Sequence, residues 1–216
     1  MKKSAQTILL TGFEPFDGAT VNPSAEIVRR LHGRKSGGNP IAGVVLPCRF
    51  REATAVLDRE IRRLDPALVI CLGQAGGRAE ITPERIAINV DDARIPDNAG
   101  RQPVDRPIVQ RGPAAYWSTL PIKAIVAALR ARDIPAAVSQ TAGTFVCNHV
   151  FYGLMHALRR RRGVRGGFVH LPWLPEQAGA GQPSLPLDVM LRAVEEMLRV
   201  TLRRKRDLRV AGGRTH

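Results

Sequence analysis

Short apolar runs alternate along the chain with longer segments in which apolar residues recur at helical spacing. The short runs are typical of strands, and they lie at residues 7–10, 41–46, 67–72, 85–90, 136–139 and 167–171. The continuous run at 67–72 indicates a strand that is buried on both faces of a sheet. In 85–90 only alternate positions are strongly apolar, which indicates a strand with one covered face.

The segments with helical spacing predict helices between these strands. One begins at Asn22-Pro23-Ser24, the next covers 51–64, another begins at Pro121, one runs from Cys147 to about Arg160, and the last is Leu187–Arg203. This alternation predicts an α/β fold, in which an open, twisted and mostly parallel sheet carries helices on both faces. Because no repeat or linker divides the chain, residues 1–216 are expected to form a single domain with a basic C-terminal tail from about residue 204.

The loops after the predicted strands are the expected location of a site. In open α/β sheets, ligands bind at the carboxyl ends of the strands. The segments 11–18, 73–84, 143–147 and 170–177 directly or nearly follow predicted strands, so we expect them to meet along one rim. Residues 91–112 have no clear period and are rich in Pro, Gly, Asp and Asn, and a loop of that length is often functional.

Length and composition are those of an ordinary globular protein with a full core. No apolar run approaches the roughly 18 residues that a bilayer-spanning helix needs, so no membrane association is expected. The basic start of the chain is followed only by Ile8-Leu9-Leu10, which is too short for the core of a signal peptide. We therefore expect a cytoplasmic protein.

The formal net charge of +14 indicates an affinity for polyanions. The densest basic runs are residues 159–162 and 203–206, and both lie at expected C-terminal ends of helices, where cations are favoured in any case. Aromatic residues are not interleaved with these runs, as stacking on bases would require. Nucleic acid is therefore an unlikely partner, although a non-catalytic polyanion-binding protein remains a rival interpretation.

Cys147 is the best candidate for a reactive group. It lies where a glycine-containing loop enters an apolar helix, and the free N–H groups of a first helical turn favour thiolate over thiol. Cys71 lies within an apolar run and is expected to be buried, and Cys48 has no helix start beside it. The odd number of cysteines argues against a disulfide framework, and Cys and His are nowhere clustered, so no metal site is expected.

A nucleophilic thiol needs a base, and His170 is the best placed histidine. It lies at a strand end and is followed by a proline-rich turn. The other histidines are less suitable, because they lie in a surface connection, on another side of the helix, deeper in the helix or at the terminus: His32, His149, His156 and His216. A hydrogen-bonded structural role remains an alternative for His170.

An imidazole base is usually oriented by a third group. The carboxylates that could serve are Glu14, Glu80, Glu84, Asp91, Asp92 and Glu176. Glu84 opens a strand and could point inward, but the residues alone do not choose among these acids. Two loops could line a pocket: one carries Phe13 and Phe16, whose rings could equally be core, and the other carries Gln74.

Taken together, these segments resemble the pyroglutamyl-peptidase I family. The resemblance covers residues 9–177, and the matching stretches are 11–16, 21–24, 73–78, 81–85, 93–98 and 143–148, followed by His170, Pro172 and 175–177. The chain departs from the family at Asp17, where many members have glycine, and at Trp173, where many have a smaller aromatic residue.

The resemblance implies that Cys147 is the nucleophile, His170 the base and Glu84 the third member of a catalytic triad. The family removes an N-terminal pyroglutamyl (5-oxoprolyl) residue from peptides through a thioacyl-enzyme, so peptides with N-terminal pyroglutamate are the expected partners. It also implies an open α/β sandwich, a homotetramer, and no metal or coenzyme.

The resemblance further implies a substrate pocket. Phe13 and Phe16 are expected to hold the flat lactam, Gln74 to read its polar groups, and Arg94 to stabilise developing negative charge. Asn22 is expected near the pocket, either at the substrate or holding the phenylalanine loop. Another cysteine amidohydrolase on the same scaffold is the second rival interpretation.

Overall fold

A computed structural model describes residues 5–213 of the chain, and His216 lies outside this range. The strands in this range are β1 (Ile8–Phe13), β2 (Lys35–Ser36), β3 (Asn39–Leu46), β4 (Leu68–Gln74), β5 (Thr82–Pro83), β6 (Ile86–Ile88), β7 (Ala115–Trp117) and β8 (Arg165–Leu171). The α-helices are α1 (Pro23–Leu31), α2 (Glu52–Leu64), α3 (Ile122–Arg130), α4 (Val146–Leu158) and α5 (Leu187–Arg203).

The main sheet has six strands in the order β2-β3-β1-β4-β8-β5. Its four inner strands, β3, β1, β4 and β8, are parallel, whereas the short strands β2 and β5 pair antiparallel at the two edges. The sheet is therefore open and mostly parallel, and the predicted α/β class is confirmed. The carboxyl ends of β1, β4 and β8 are neighbours at one edge, where the site is expected.

Hydrophobic cores cover both faces of this sheet. Alternate residues of β1 and β4 point to opposite faces, as the pleat of a strand requires. Ile8 and Leu10 pack with helices α1, α3 and α5, whereas Leu9 packs with α2 and α4. Strand β1 is buried along its whole length, and β4 is buried up to its last residue, Gln74. This agrees with the continuous apolar run at 67–72.

Two expectations about strands are wrong in detail. Residues 136–139 do not form a regular strand but make two single bridges, Ile81 with Ala136 and Glu84 with Ser139. Pro83 in the facing segment has no N–H to donate, so a continuous ladder cannot form there. The strand predicted at 85–90 is shorter, and as β6 it pairs with β7 in a separate two-stranded sheet.

The segment after α5 is held against the rest of the protein by hydrogen bonds. Pro121 is the N-cap residue of α3 and supplies no side-chain hydrogen bond to the helix. Asp207 supplies it instead, because its carboxylate accepts the N–H groups of Lys123 at 3.1 Å and Ala124 at 2.9 Å. Arg85 also donates to the carbonyl of Gly212 at 2.6 Å. Over residues 5–213, no helix is long and apolar enough to cross a membrane.

Candidate active site

Cys147 is the second residue of α4, at the junction that the sequence predicts. Gly143 has a φ of 74°, a left-handed conformation that glycine adopts without strain, and it turns the preceding loop into the helix. Phe145 precedes the helix and makes no side-chain cap, so the N–H groups of the first turn are open to a ligand. The neighbouring Asn148 side chain bonds the backbone of Ile88 in both directions, at 3.0 and 2.9 Å, and so fixes this helix start against β6.

The thiol lies directly over the end of β4. A Cβ atom built on Gly73 would come within 3.0 Å of the Cys147 sulfur and 2.7 Å of the Phe168 ring. Gly73 is also the register partner of His170 on the neighbouring strand β8. The absence of a side chain at residue 73 therefore lets the sulfur settle beside the strand position that carries His170.

His170 and Glu84 form a buried pair. The imidazole Nδ1 lies 2.7 Å from Glu84 Oε1, and the two residues are 3% and 0% exposed. Since the carboxylate accepts, Nδ1 carries the proton and Nε2 is the nitrogen left to act as a base. The structure thus brings together Glu84, the acid that only the family resemblance selects, and His170.

Arg78 also contacts Glu84, although the sequence did not indicate a role for it. Its guanidinium donates to Glu84 Oε1 at 2.7 Å and to the carbonyl of Thr141 at 3.2 Å. A second donor on the outer side of the carboxyl group fixes the position of the oxygen that His170 contacts. Arg78 lies in the stretch 73–78 that matches the family. Its spacing from Glu84 along the sequence, however, does not indicate that the two side chains are in contact.

The electrostatics of the thiol differ from the expectation of a resting thiolate. Burial raises the pKa of Cys147 to about 12, and the negative charge of Glu84 acts in the same direction. The positive charge of Arg78 lowers it, but by less. Burial and Glu84 thus favour the protonated thiol, whereas Arg78 favours the thiolate.

The phenylalanine loop presents one ring to the site and keeps the other in the core. Phe13 is 2% exposed and packs against Phe168, with ring centroids 6.3 Å apart. Phe16 instead faces Phe145, with centroids 6.0 Å apart, and both line a cavity of about 270 Å³ that also contacts Arg94 and Ile95. Contact of Phe13 with a ligand stays a prediction, and Phe145 is a further candidate wall.

Asn22 holds the loop between Phe13 and Phe16 through hydrogen bonds. It is 1% exposed, and its carbonyl oxygen accepts both the N–H and the hydroxyl of Ser24, at 3.0 and 2.7 Å. Its amide donates to the carbonyl of Glu14 at 3.2 Å, and the Ser24 hydroxyl accepts the N–H of Phe13 at 2.9 Å. Of the two roles expected for Asn22, these bonds favour holding the loop.

Gln74 and Arg94 line a larger open cavity at the same rim. It has a volume of about 790 Å³ and extends from the Phe16 loop to Trp173 and Glu176. Gln74 Oε1 accepts the side-chain amide of Gln177 at 2.9 Å. Arg94 is exposed and has no carboxylate partner among residues 5–213, so its charge is available to a ligand. The expected meeting of the loops after β1, β4 and β8 is confirmed.

The remaining candidates have other roles. Glu14 accepts the N–H of Cys48 at 3.0 Å and the Asn98 amide at 2.9 Å, which pins the phenylalanine loop to its neighbours. His149 is buried and pairs with Asp91 at 2.8 Å. Cys48 and Cys71 are both buried, as expected for Cys71. Within the described part of the chain, no group of His, Cys, Asp and Glu side chains could hold a metal ion.

The fold and the site together are those of an α/β cysteine hydrolase. The sequence profile of the family described as Pyroglutamyl peptidase matches residues 6–204. The chain therefore belongs to the pyroglutamyl peptidase family, as the motifs predict.

Individual relatives agree over nearly the whole length. A pyrrolidone-carboxylate peptidase of Klebsiella pneumoniae (strain 342) is 61% identical over 211 residues, which are 97% of this chain and 99% of that protein. The crystal structure of pyroglutamyl peptidase I from Bacillus amyloliquefaciens has a TM-score of 0.93 at 50% identity, covering 96% of this chain and 100% of that one. Pyrrolidone carboxyl peptidase from Thermococcus litoralis has a TM-score of 0.92 at 37% identity, covering 95% and 99%.

Proposed function

We propose that this chain is a cysteine exopeptidase that hydrolyses the bond after an N-terminal pyroglutamyl residue, with Cys147 as nucleophile, His170 as base and Glu84 as the group that orients the base. Membership of the pyroglutamyl peptidase family supports the substrate class. The observation that carries the residue assignment is the 2.7 Å pair of His170 and Glu84 beside the strand position over which the Cys147 sulfur lies.

The first step forms a thioester. His170 Nε2 takes the proton of the Cys147 thiol while the sulfur attacks the pyroglutamyl carbonyl carbon. Burial raises the pKa of this thiol, so the sulfur needs a base to take its proton. Glu84 stabilises the imidazolium that results, and Arg78 holds the same carboxylate oxygen from the other side.

The first step is complete when the tetrahedral intermediate collapses: the C–N bond breaks, the leaving amine takes its proton from His170, and the thioester remains. In the second step, a water molecule gives a proton to His170 and adds to the thioester. The C–S bond then breaks, the sulfur takes the proton from His170, and free pyroglutamate and the thiol are released. The backbone N–H of Cys147, in the open first turn of α4, and the Arg94 guanidinium stabilise the oxyanion in both steps.

The pocket for the lactam lies against Phe16 and Phe145. A flat, neutral ring fits the slot of about 270 Å³ that these two aromatic rings line from one side, packed against each other with centroids 6.0 Å apart. Asp92 is the one carboxylate among residues 5–213 that lines the slot, and it has no amine to pair with because a pyroglutamyl group has no free amine. The peptide after the scissile bond extends into the cavity of about 790 Å³ that Gln74 and Trp173 line.

We further propose a cytoplasmic homotetramer. The resemblance to the family supports this assembly, and so does exposed apolar surface at the small sheet, where Trp117 is 65% exposed. Size-exclusion chromatography with light scattering measures the assembly directly. A monomeric mass at micromolar concentration would contradict the tetramer and leave the peptidase proposal unaffected.

Cleavage of coupled dyes tests the activity. Pyroglutamyl-, prolyl- and glutaminyl-coupled dyes are compared side by side, with Cys147→Ala and with iodoacetamide as controls. We expect turnover of the pyroglutamyl dye alone, and its loss in both controls. Equal turnover of the prolyl dye would favour another cysteine amidohydrolase, and near-normal activity of Cys147→Ala would overturn the nucleophile.

A further inference from the structure

A basic cavity between α2 and α4 is separate from the site described above. It has a volume of about 380 Å³ and shares none of its lining residues with the two cavities beside the Phe16 loop. Four arginines line it: Arg51, Arg62, Arg159 and Arg161. The last two belong to the basic run 159–162, which the proposed peptidase reaction does not use.

The cationic charge of this cavity is only partly neutralised within the protein. Arg161 pairs with Asp65 at 3.0 Å, and Asp58 is the one carboxylate among the lining residues. Arg51 and Arg62 have no carboxylate partner anywhere in residues 5–213. Two guanidinium groups, each with five N–H donors, therefore face a concave surface without an anion to bind.

The charge of this cavity affects the pKa of His156, which lies in its wall. His156 lines the cavity, and its ring nitrogen Nδ1 lies 2.8 Å from the hydroxyl of Tyr116. Burial lowers the pKa of His156, and the positive charges of Arg159 and Arg160 lower it further, against the opposite effect of Asp58. Arg159 and Arg160 thus disfavour one more cation in this wall of the cavity.

The position and shape of the cavity are built into the helix crossing. α2 and α4 cross closely at Gly153, where a Cβ atom would come within 2.6 Å of the Thr54 side chain. At one end, the backbone N–H of Arg51 donates to His149 Nε2 at 3.1 Å, which holds the start of α2 against α4. Ile108 and Val109 add an apolar edge to the wall that the arginines line.

We propose that this cavity binds a small anion with consecutive phosphate groups. Guanidinium groups bind phosphate oxygens in a bidentate manner, and several phosphates in succession match several arginines around one concavity. The volume lies in the range of sites for small molecules and exceeds what one phosphate needs. Single-stranded nucleic acid is a poorer match, because no Phe, Tyr or Trp ring lines the cavity for base stacking.

Isothermal titration calorimetry of the full chain with tripolyphosphate and with ATP tests the proposal. We expect saturable binding of one anion per chain, weakened by salt. The double variant R51Q/R62Q removes two charges that have no carboxylate partner in residues 5–213 and is expected to weaken binding about a hundredfold, because two charge-assisted contacts are lost. Tighter binding of ATP than of tripolyphosphate would place an organic group on Ile108 and Val109, and equal binding would point to inorganic polyphosphate.

A matched control separates a site from general charge. R30Q/R209Q removes the same charge from exposed arginines outside the cavity and is expected to bind as the unaltered chain does. Equal weakening in both double variants, no heat with either anion, equally tight binding of citrate, or tighter binding of a single-stranded RNA would each overturn the proposal. Cleavage of the pyroglutamyl dye is expected to persist in R51Q/R62Q, so the two proposals fail independently.

Discussion

Arg78 and His170 donate to the same carboxylate oxygen of Glu84, each at 2.7 Å. The guanidinium reaches it from the partly exposed side and the imidazole from the buried side, so the acid is held between a permanent cation and the base that it orients. Proteins often tune a catalytic imidazole through such a third and fourth group. Arg78 is therefore a positioning residue for His170.

Replacing Arg78 by Gln is expected to lower kcat by about tenfold to a hundredfold. The hydrogen bond from Arg78 to Glu84 Oε1 is lost, and the pKa of Cys147, which Arg78 lowers, rises. The measurement is steady-state cleavage of a pyroglutamyl dye together with the rate of Cys147 alkylation by iodoacetamide, and both are expected to fall. R85Q removes a charge from the residue next to Glu84. The Arg85 side chain bonds Gln140 and the carbonyl of Gly212 instead, so equal losses in the two variants would contradict this role.

Replacing His170 tests whether the pKa of the Cys147 thiol is raised. In His170→Ala, the rate of alkylation of Cys147 is expected to rise about tenfold per pH unit from neutral pH upward, because a thiol with a pKa of about 12 ionises in that proportion. The unaltered chain is expected to react faster and with a shallower slope near neutrality, since His170 takes the proton. An equally fast and shallow profile in His170→Ala would show that the helix N-terminus alone ionises the thiol.

Gly73→Ala tests the close approach of the sulfur to β4. The new methyl group would lie 3.0 Å from the Cys147 sulfur and 2.7 Å from the buried Phe168 ring. Displacing the nucleophile by such a contact is expected to reduce kcat/KM by about a hundredfold. The overpacked ring is expected to lower the free energy of unfolding by about 1–3 kcal/mol. Gly179→Ala is the control, because its methyl group would meet only Gln182, at 3.6 Å.

Glu60 provides a pH-dependent contribution to stability. Its hydrogen bond from Arg63 at 2.8 Å, and then that from Arg59, lower the pKa of the carboxyl, while burial opposes them. A lowered pKa in the folded state stabilises the protein above the ordinary Glu pKa of about 4.3, and that contribution is lost as the pH falls below it. Glu60→Gln is therefore expected to cost about 0.5–1 kcal/mol at pH 7, since both arginines are largely exposed.

Urea unfolding at neutral and acidic pH measures this difference. The two proteins are expected to converge once the pH falls below the lowered pKa of Glu60 in the folded state, where both side chains are uncharged. A destabilisation that is constant with pH would mean that packing, and not the ionised carboxylate, is responsible.

The pattern of apolar residues was sufficient for the central strands and for α5, because burial on both faces and an amphipathic helix each leave a strong period. It failed at 136–139, where Pro83 in the facing segment prevents regular pairing, and it missed β7, which has only three residues. Such short elements depend on their partners more than on their own sequence.

At the site, spacing alone selected Cys147 and favoured His170, because each lies at a junction of two elements. Glu84 required the resemblance to the family, since its pairing with His170 joins residues 86 positions apart. The raised pKa of the Cys147 thiol could not be predicted from the helix start, because burial and Glu84 act through the tertiary structure.

Asn22 combines two functions that one substitution can separate. Its carbonyl oxygen caps α1 by accepting the N–H of Ser24, while its amide group holds the carbonyl of Glu14. Asn22→Asp keeps the acceptor and loses the donor, so the cap is expected to persist and the loop that carries Phe16 to loosen. Asn22→Ala loses both and is expected to lower the free energy of unfolding by about 1–2 kcal/mol.

The two variants are therefore expected to differ in stability but to agree in activity. Because the loop positions Phe16 at the lactam slot, both are expected to raise KM for a pyroglutamyl dye by about tenfold, whereas only Asn22→Ala is expected to unfold at lower temperature. Calorimetry and steady-state kinetics on the same preparations measure the two quantities. Normal KM in Asn22→Asp would show that the Glu14 contact does not position Phe16.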